Sequence, residues 1–152
     1  MKTISKLAIL LISATIWFAC DSSGTENIDP MVPVDPVAVS GPITVLKTGS
    51  LTAQSSTNTK GMIQIVTNKE GKYFVRLTED FTTKFSTGTV TVYLSTSEQL
   101  QLSSSGSFQL ISIVGKAGEH FFPLTGNLDP KFGHGIIWCG AAAIPFGFAP
   151  LK

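Results

Sequence analysis

Cysteine is nearly absent, with Cys20 and Cys139 the only two in 152 residues, and charge is scarce at 14% of the chain. A disulfide framework beyond one bridge is therefore excluded. Ordinary soluble proteins carry about 25% charged residues; here serine, threonine and glycine take their place, a surface common among exported β proteins. No run of Lys or Arg offers a footprint for nucleic acid or for anionic lipid headgroups. Residues 7–19 form the one long uncharged apolar run. It is too short to cross the roughly 30 Å of hydrocarbon as a helix, which takes about 20 residues. Beyond it, no segment shows apolar i, i+3, i+4 spacing. Cys-x-x-Cys-His, His-Glu-x-x-His, Gly-x-Ser-x-Gly and a Gly-rich phosphate loop are all missing, so covalent haem attachment and the common hydrolytic and nucleotide-binding chemistries lack their residues. A structural zinc site needs about four ligands, and one free thiol with two poorly spaced histidines does not supply them.

What is present at the start of the chain points to export. Lys2 and Lys6 precede the apolar run at 7–19, the charged n-region and apolar h-region of a signal peptide over residues 1–19. Trp17-Phe18-Ala19-Cys20 resembles a lipobox, in which signal peptidase cuts before a diacylated cysteine; Trp17 stands where an aliphatic residue is usual. The expectation is a bacterial lipoprotein, with fatty acids such as palmitate on Cys20, held to a membrane of the cell envelope on its exported side. Two or more acyl chains give stable anchoring where one gives only marginal binding. Loss of Lys2 and Lys6 takes the count of 11 basic and 10 acidic residues to 9 and 10, a mature charge of −1. Residues 20–42, with Pro30, Pro33, Pro36 and Pro42, read as a lipidated cysteine followed by a proline-rich tether.

Residues 43–152 read as one all-β domain, a small sandwich or barrel of about eight to ten short, mainly antiparallel strands. Ile43–Leu46 and Leu51–Gln54 flank Thr48-Gly49. Met62–Val66 and Tyr73–Leu77 are joined by Asn68-Lys69-Glu70-Gly71 as a hairpin. Thr89–Leu94 alternates, with Val90, Val92 and Leu94 on one face and Thr89, Thr91 and Tyr93 on the other, as in a half-buried strand. Phe108–Val114, Glu119–Leu124 (an edge or a strand end, given Pro123), Ile136–Cys139 and Ile144–Ala149 complete the set.

The closing segment, Ile136–Leu151 (IIWCGAAAIPFGFAPL), resembles the end of the DM13 domain: an aromatic-Cys strand, a small-residue turn and a Phe-Gly-x-Ala-x-Leu ending. Gly49 with Gly61-Met62-Ile63, Leu77–Phe81, Val90–Ser95 (VTVYLS) and Gly118–Pro123 resemble further family segments in order, over roughly residues 48–151. Ser86-Thr87-Gly88-Thr89 departs from the Gly-Pro-acidic step usual ahead of the VYLS strand. The resemblance implies electron transfer, with Cys139 as the redox or cofactor-binding group and Trp138 as its neighbouring aromatic, acting with an unidentified redox or protein partner.

Read from the residues alone, Cys139 stands between two roles. With Cys20 acylated it has no partner, and a leftover thiol in an exported protein is worth flagging. Its neighbours Ile137 and Trp138 instead describe a small buried hydrophobe. Non-covalent haem is an alternative, with Cys139, His120, His134 and Met62 as the available axial ligands; otherwise His120 reads as a polar-face strand residue and His134 as a loop residue between glycines. Phe121, Phe122, Phe132, Trp138, Phe146 and Phe148 concentrate in the last third and read as core rather than as a groove for a flat ligand. Two functions follow: a membrane-anchored redox module using Cys139, or a non-catalytic envelope binding module with Cys139 as core.

Overall fold

The computed structural model describes residues 32–126 and 128–152; the export signal at 1–19 and Cys20 lie outside the described residues. The described chain forms strands β1 (Ile43–Ser50), β2 (Thr52–Ala53), β3 (Met62–Asn68), β4 (Tyr73–Leu77), β5 (Val90–Ser95), β6 (Phe108–Val114), β7 (His120–Leu124), β8 (His134–Cys139) and β9 (Ile144–Pro150). They build two antiparallel sheets, ordered β1-β3-β4-β7 and β2-β9-β8-β5-β6. Of the small sandwich or barrel expected from the many short strands, the two packed antiparallel sheets make it a sandwich.

Local chemistry sets the joints. At the β3–β4 hairpin the Asn68 side chain accepts the backbone N–H of Glu70 and of Lys72, each at 3.0 Å, while Gly71 takes φ +75°. That is how a short Asx-type turn closes a hairpin. Thr48-Gly49, expected to separate two strands, instead lies inside β1. There the chain tail crosses: Thr48 and Lys152 exchange N–H···O bonds of 3.0 and 3.1 Å, linking the two sheets at one side. Gly49 passes so close to the Pro150 carbonyl that no side chain fits.

Inward residues of both sheets make the main core, including Ile63, Ile65, Val75, Leu77 and Phe122 facing Val90, Val92, Leu94, Ile137 and Phe146. Each such side chain contributes about 1.5–3 kcal/mol on burial. β5 differs from the half-buried expectation. Its other face carries Tyr93, which packs with Phe108, Leu110 and Ile136 beneath Leu100, Trp138 and Phe148, so β5 is buried on both faces.

Residues 32–42, read from sequence as the outer part of the tether, lie against the sandwich on the side opposite the tail. Val34 N–H donates to Ile111 of β6 at 2.9 Å, Ser112 Oγ donates to the Val34 carbonyl at 2.7 Å, and Val37 N–H donates to Phe121 of β7 at 2.9 Å. This strap bridges both sheets. Pro33 and Pro36 occupy positions that need donate nothing, and Val34 and Val39 pack on apolar clusters.

Candidate functional site

Alternation along β8 sends Cys139 and Trp138 to opposite faces of the second sheet. Cys139 pairs with Val90 of β5 and Ile144 of β9. It is a free thiol, 0% exposed, within the main core. Its sulfur lies 3.8 Å from the Thr87 carbonyl and 4.0 Å from the Thr87 hydroxyl. Thr87 ends a single 3-10 turn, Phe85–Thr87, which is held down at three points. Phe85 stands edge-on to Phe81 at 6.2 Å. Gly88, at φ +116°, approaches Ala141 so closely that an added Cβ would fall 2.9 Å from its methyl. Gly140 N–H donates to the Thr89 carbonyl at 2.8 Å. Among the described residues no Lys, Arg, His or carboxylate bonds the sulfur. An activated thiol needs such a neighbour and access, and this one has a carbonyl, a hydroxyl and hydrocarbon.

The four residues considered as haem ligands do not converge. His134 opens β8 opposite Ser95 and Pro150, and Cys139 closes it, so about 3.3 Å per residue of strand separates them end to end. Met62 is 40% exposed and opposite Ser50 of β1. His120 is not on a polar face: it is buried, stacked on Phe122 at 5.8 Å and edge-on to Phe81, with Nε2–H donating to the Lys116 carbonyl at 3.0 Å. His134 is a strand residue rather than a loop residue. Among the described residues these donors therefore form no shared set that fits a haem.

Of the C-terminal aromatics, Phe121, Phe122, Phe132 and Phe146 are buried as expected for core. Trp138 and Phe148 are half-buried on the outer face of the second sheet. Trp138 lines a cleft of about 300 Å³ with Gln54, Glu98, Gln99, Leu100 and Pro145. Gln54 is fixed by its backbone: its N–H donates to the Phe146 carbonyl at 2.8 Å, and Thr57 Oγ donates to its carbonyl at 2.8 Å. The loop that follows is unusual, with Ser55, Ser56 and Asn58 all left-handed at φ 52–53°. Beneath it, Thr57, Thr59 and Thr83 form a buried hydroxyl chain with O···O separations of 2.7 and 2.6 Å. Gln54, Glu98 and Gln99 were not foreseen from sequence. They come from two loops remote in the chain, and no spacing pattern relates them.

No family model, curated protein or solved structure matches the chain.

Proposed function

We propose that the chain is an exported lipoprotein, anchored in the bacterial cell envelope through acylated Cys20, whose DM13-like domain is a non-catalytic binding module with Cys139 in its core. The observation that carries this reading is the complete burial of the Cys139 thiol beneath Phe85–Thr87. Among the residues that depart from the DM13 pattern, Ser86 to Thr89, Thr87 lies against the sulfur with its carbonyl and hydroxyl oxygens. A thiol so placed packs as a small hydrophobe. Binding then falls to the outer surfaces, and the anchor supplies membrane attachment without a basic patch.

Electron transfer through Cys139 is the second reading, favoured by one observation: a single turn ending in the exposed Thr87 separates the sulfur from solvent. Alkylation decides between them. Full-length protein in detergent, treated with a maleimide, is expected to react at Cys139 at least about 100-fold more slowly than the denatured chain, since each ~1.4 kcal/mol of opening free energy slows reaction tenfold. The visible spectrum is expected to be featureless. Rapid modification or a Soret band overturns the binding-module reading. Mass spectrometry of native material tests the anchor, which fails if Cys20 carries no acyl group or is bridged to Cys139.

A further inference from the structure

We infer that the cleft beside Trp138 binds a neutral saccharide, taking one sugar ring of an uncharged oligosaccharide on the indole face; this deepens the binding-module reading and rests on it only in placing ligand recognition on the outer surface.

The floor is apolar and rigid. Trp138 is held from below by Tyr93, Phe108, Leu110 and Ile136 and flanked by Leu100, and Pro145 adds a second flat surface. A pyranose has one face of C–H bonds that stacks on such a plane, while its hydroxyls project from the ring edge. The rim supplies what those hydroxyls need. Gln54 and Gln99 each offer a donor and an acceptor in one plane, and Glu98 accepts twice. Among the described residues no lysine, arginine or histidine lines the cleft, so an anionic ligand meets a carboxylate there and no counter-charge from them.

Gln54 carries a further signature. Its Oε1 is buried with no hydrogen-bond partner among the described residues, an arrangement that native interiors rarely leave unanswered. A rotation of the side chain would be needed to turn that oxygen to a hydroxyl donor in the cleft. Backbone in the left-handed region at non-glycine residues clusters at ligand sites, where the surroundings over-determine it. Here it occurs at Ser55, Ser56 and Asn58, and Thr57 Oγ ties the loop to Gln54 and to the Phe146 carbonyl at 2.7 Å. Gln54 is thus presented on a preformed loop, the condition under which a small shallow site retains useful affinity.

The test is titration of full-length protein in a non-glycosidic detergent with cellotetraose, chitotetraose and maltotetraose, followed by indole fluorescence and calorimetry. Saturable binding of at least one is expected. It should be lost in Trp138→Ala, weakened about tenfold in Gln54→Ala and Glu98→Ala, and unchanged in Cys139→Ala. Glu98 is exposed in a loop, so its variant reports even where Trp138→Ala fails to fold. The inference is overturned if none of the three binds, if binding survives both Gln54→Ala and Glu98→Ala undiminished, or if a proline-rich peptide binds there in place of all three sugars. Failure here leaves Cys139 in the core, whereas rapid alkylation of Cys139 would undo the core assignment and leave the cleft untouched.

Discussion

Consider Cys139→Ala beside Cys139→Ser. Alanine removes one buried heavy atom of about methylene size, worth about 0.8 kcal/mol of transfer, and leaves a small void in a core where Val90, Ile137 and Phe146 are essentially inaccessible. The void adds a few tenths, for a total of about 1–1.5 kcal/mol. Serine refills most of that void but puts a hydroxyl where the apolar sulfur was. Its nearest acceptor is the Thr87 carbonyl, already 3.8 Å from Sγ, and Oγ on a shorter bond starts no nearer. A hydroxyl needs about 2.7–2.8 Å, and a buried unpaired one costs about 1–3 kcal/mol. Serine should therefore destabilise by about 2–4 kcal/mol, roughly twice as much as alanine. Urea unfolding reads the difference, and thermal melting should follow at about 3–6 °C per kcal/mol for a domain of this size. If serine proves equal to or more stable than alanine, the sulfur sits in a polar or hydrated site, and the argument that Cys139 is inert core fails with it.

Gly61→Ala should abolish accumulation of folded protein, because φ is +104° and the new Cβ would lie 2.7 Å from the Phe81 Cα; soluble yield and Tm check it, and a variant within about 1 kcal/mol of the parent refutes it. Thr59→Val should cost about 1–2 kcal/mol by stranding the Thr83 hydroxyl, with Thr59→Ser retaining most of the stability in denaturant unfolding. Val34→Asp, which places a carboxylate against the main core, should lose about 1–3 kcal/mol and expose residues 32–40 to limited proteolysis. Hydrogen bonds from Lys72 and Lys131 hold the Glu70 and Asp129 carboxyls below their ordinary values. A lowered folded value gives stability that is present above the unfolded pKa of about 4 and lost as pH falls through the folded one. Both pairs are exposed, so neither should give the unfolding midpoint a pH dependence between about pH 7 and 5, and carboxyl titration by NMR should show both midpoints lowered.

The strands were legible because the code for a half-buried strand is local. Tyr73–Leu77 and Phe108–Val114 fall where short apolar β-forming runs between turn signals put them, and Pro123 correctly marks an edge strand, since β7 closes its sheet. What misled was chemistry whose cause lies elsewhere in the chain. Gly49 reads as a turn, yet it is glycine because Pro150 crosses it. Thr91 and Tyr93 read as a solvent face, yet both are buried, Tyr93 among Phe108, Leu110 and Ile136 with Leu100 packed against them. His120 reads as polar, yet Phe81 and Phe122 enclose it. The burial of Cys139 was left open by sequence because its lid, Phe85–Thr87, is some fifty residues away and carries no pattern pointing at a thiol. Trp138 was singled out as a neighbour of the cysteine, whereas strand alternation turns it outward, to Gln54 and Glu98.

The strap shortens the leash. If Cys20 bears the lipid, the distance between lipid and domain is bounded by the residues ahead of Val34, which is already bonded to Ile111 and Ser112. Thirteen residues, 33 minus 20, at about 3.3–3.6 Å each span no more than about 45 Å, about three-fifths of what an unpaired run to Pro42 would allow. On the proposed anchoring, the domain would stay within that distance of the bilayer. Because Val34 and Val37 bond the margins of both sheets, tension from the bilayer would then be delivered across the layers of the sandwich and not to a loose end.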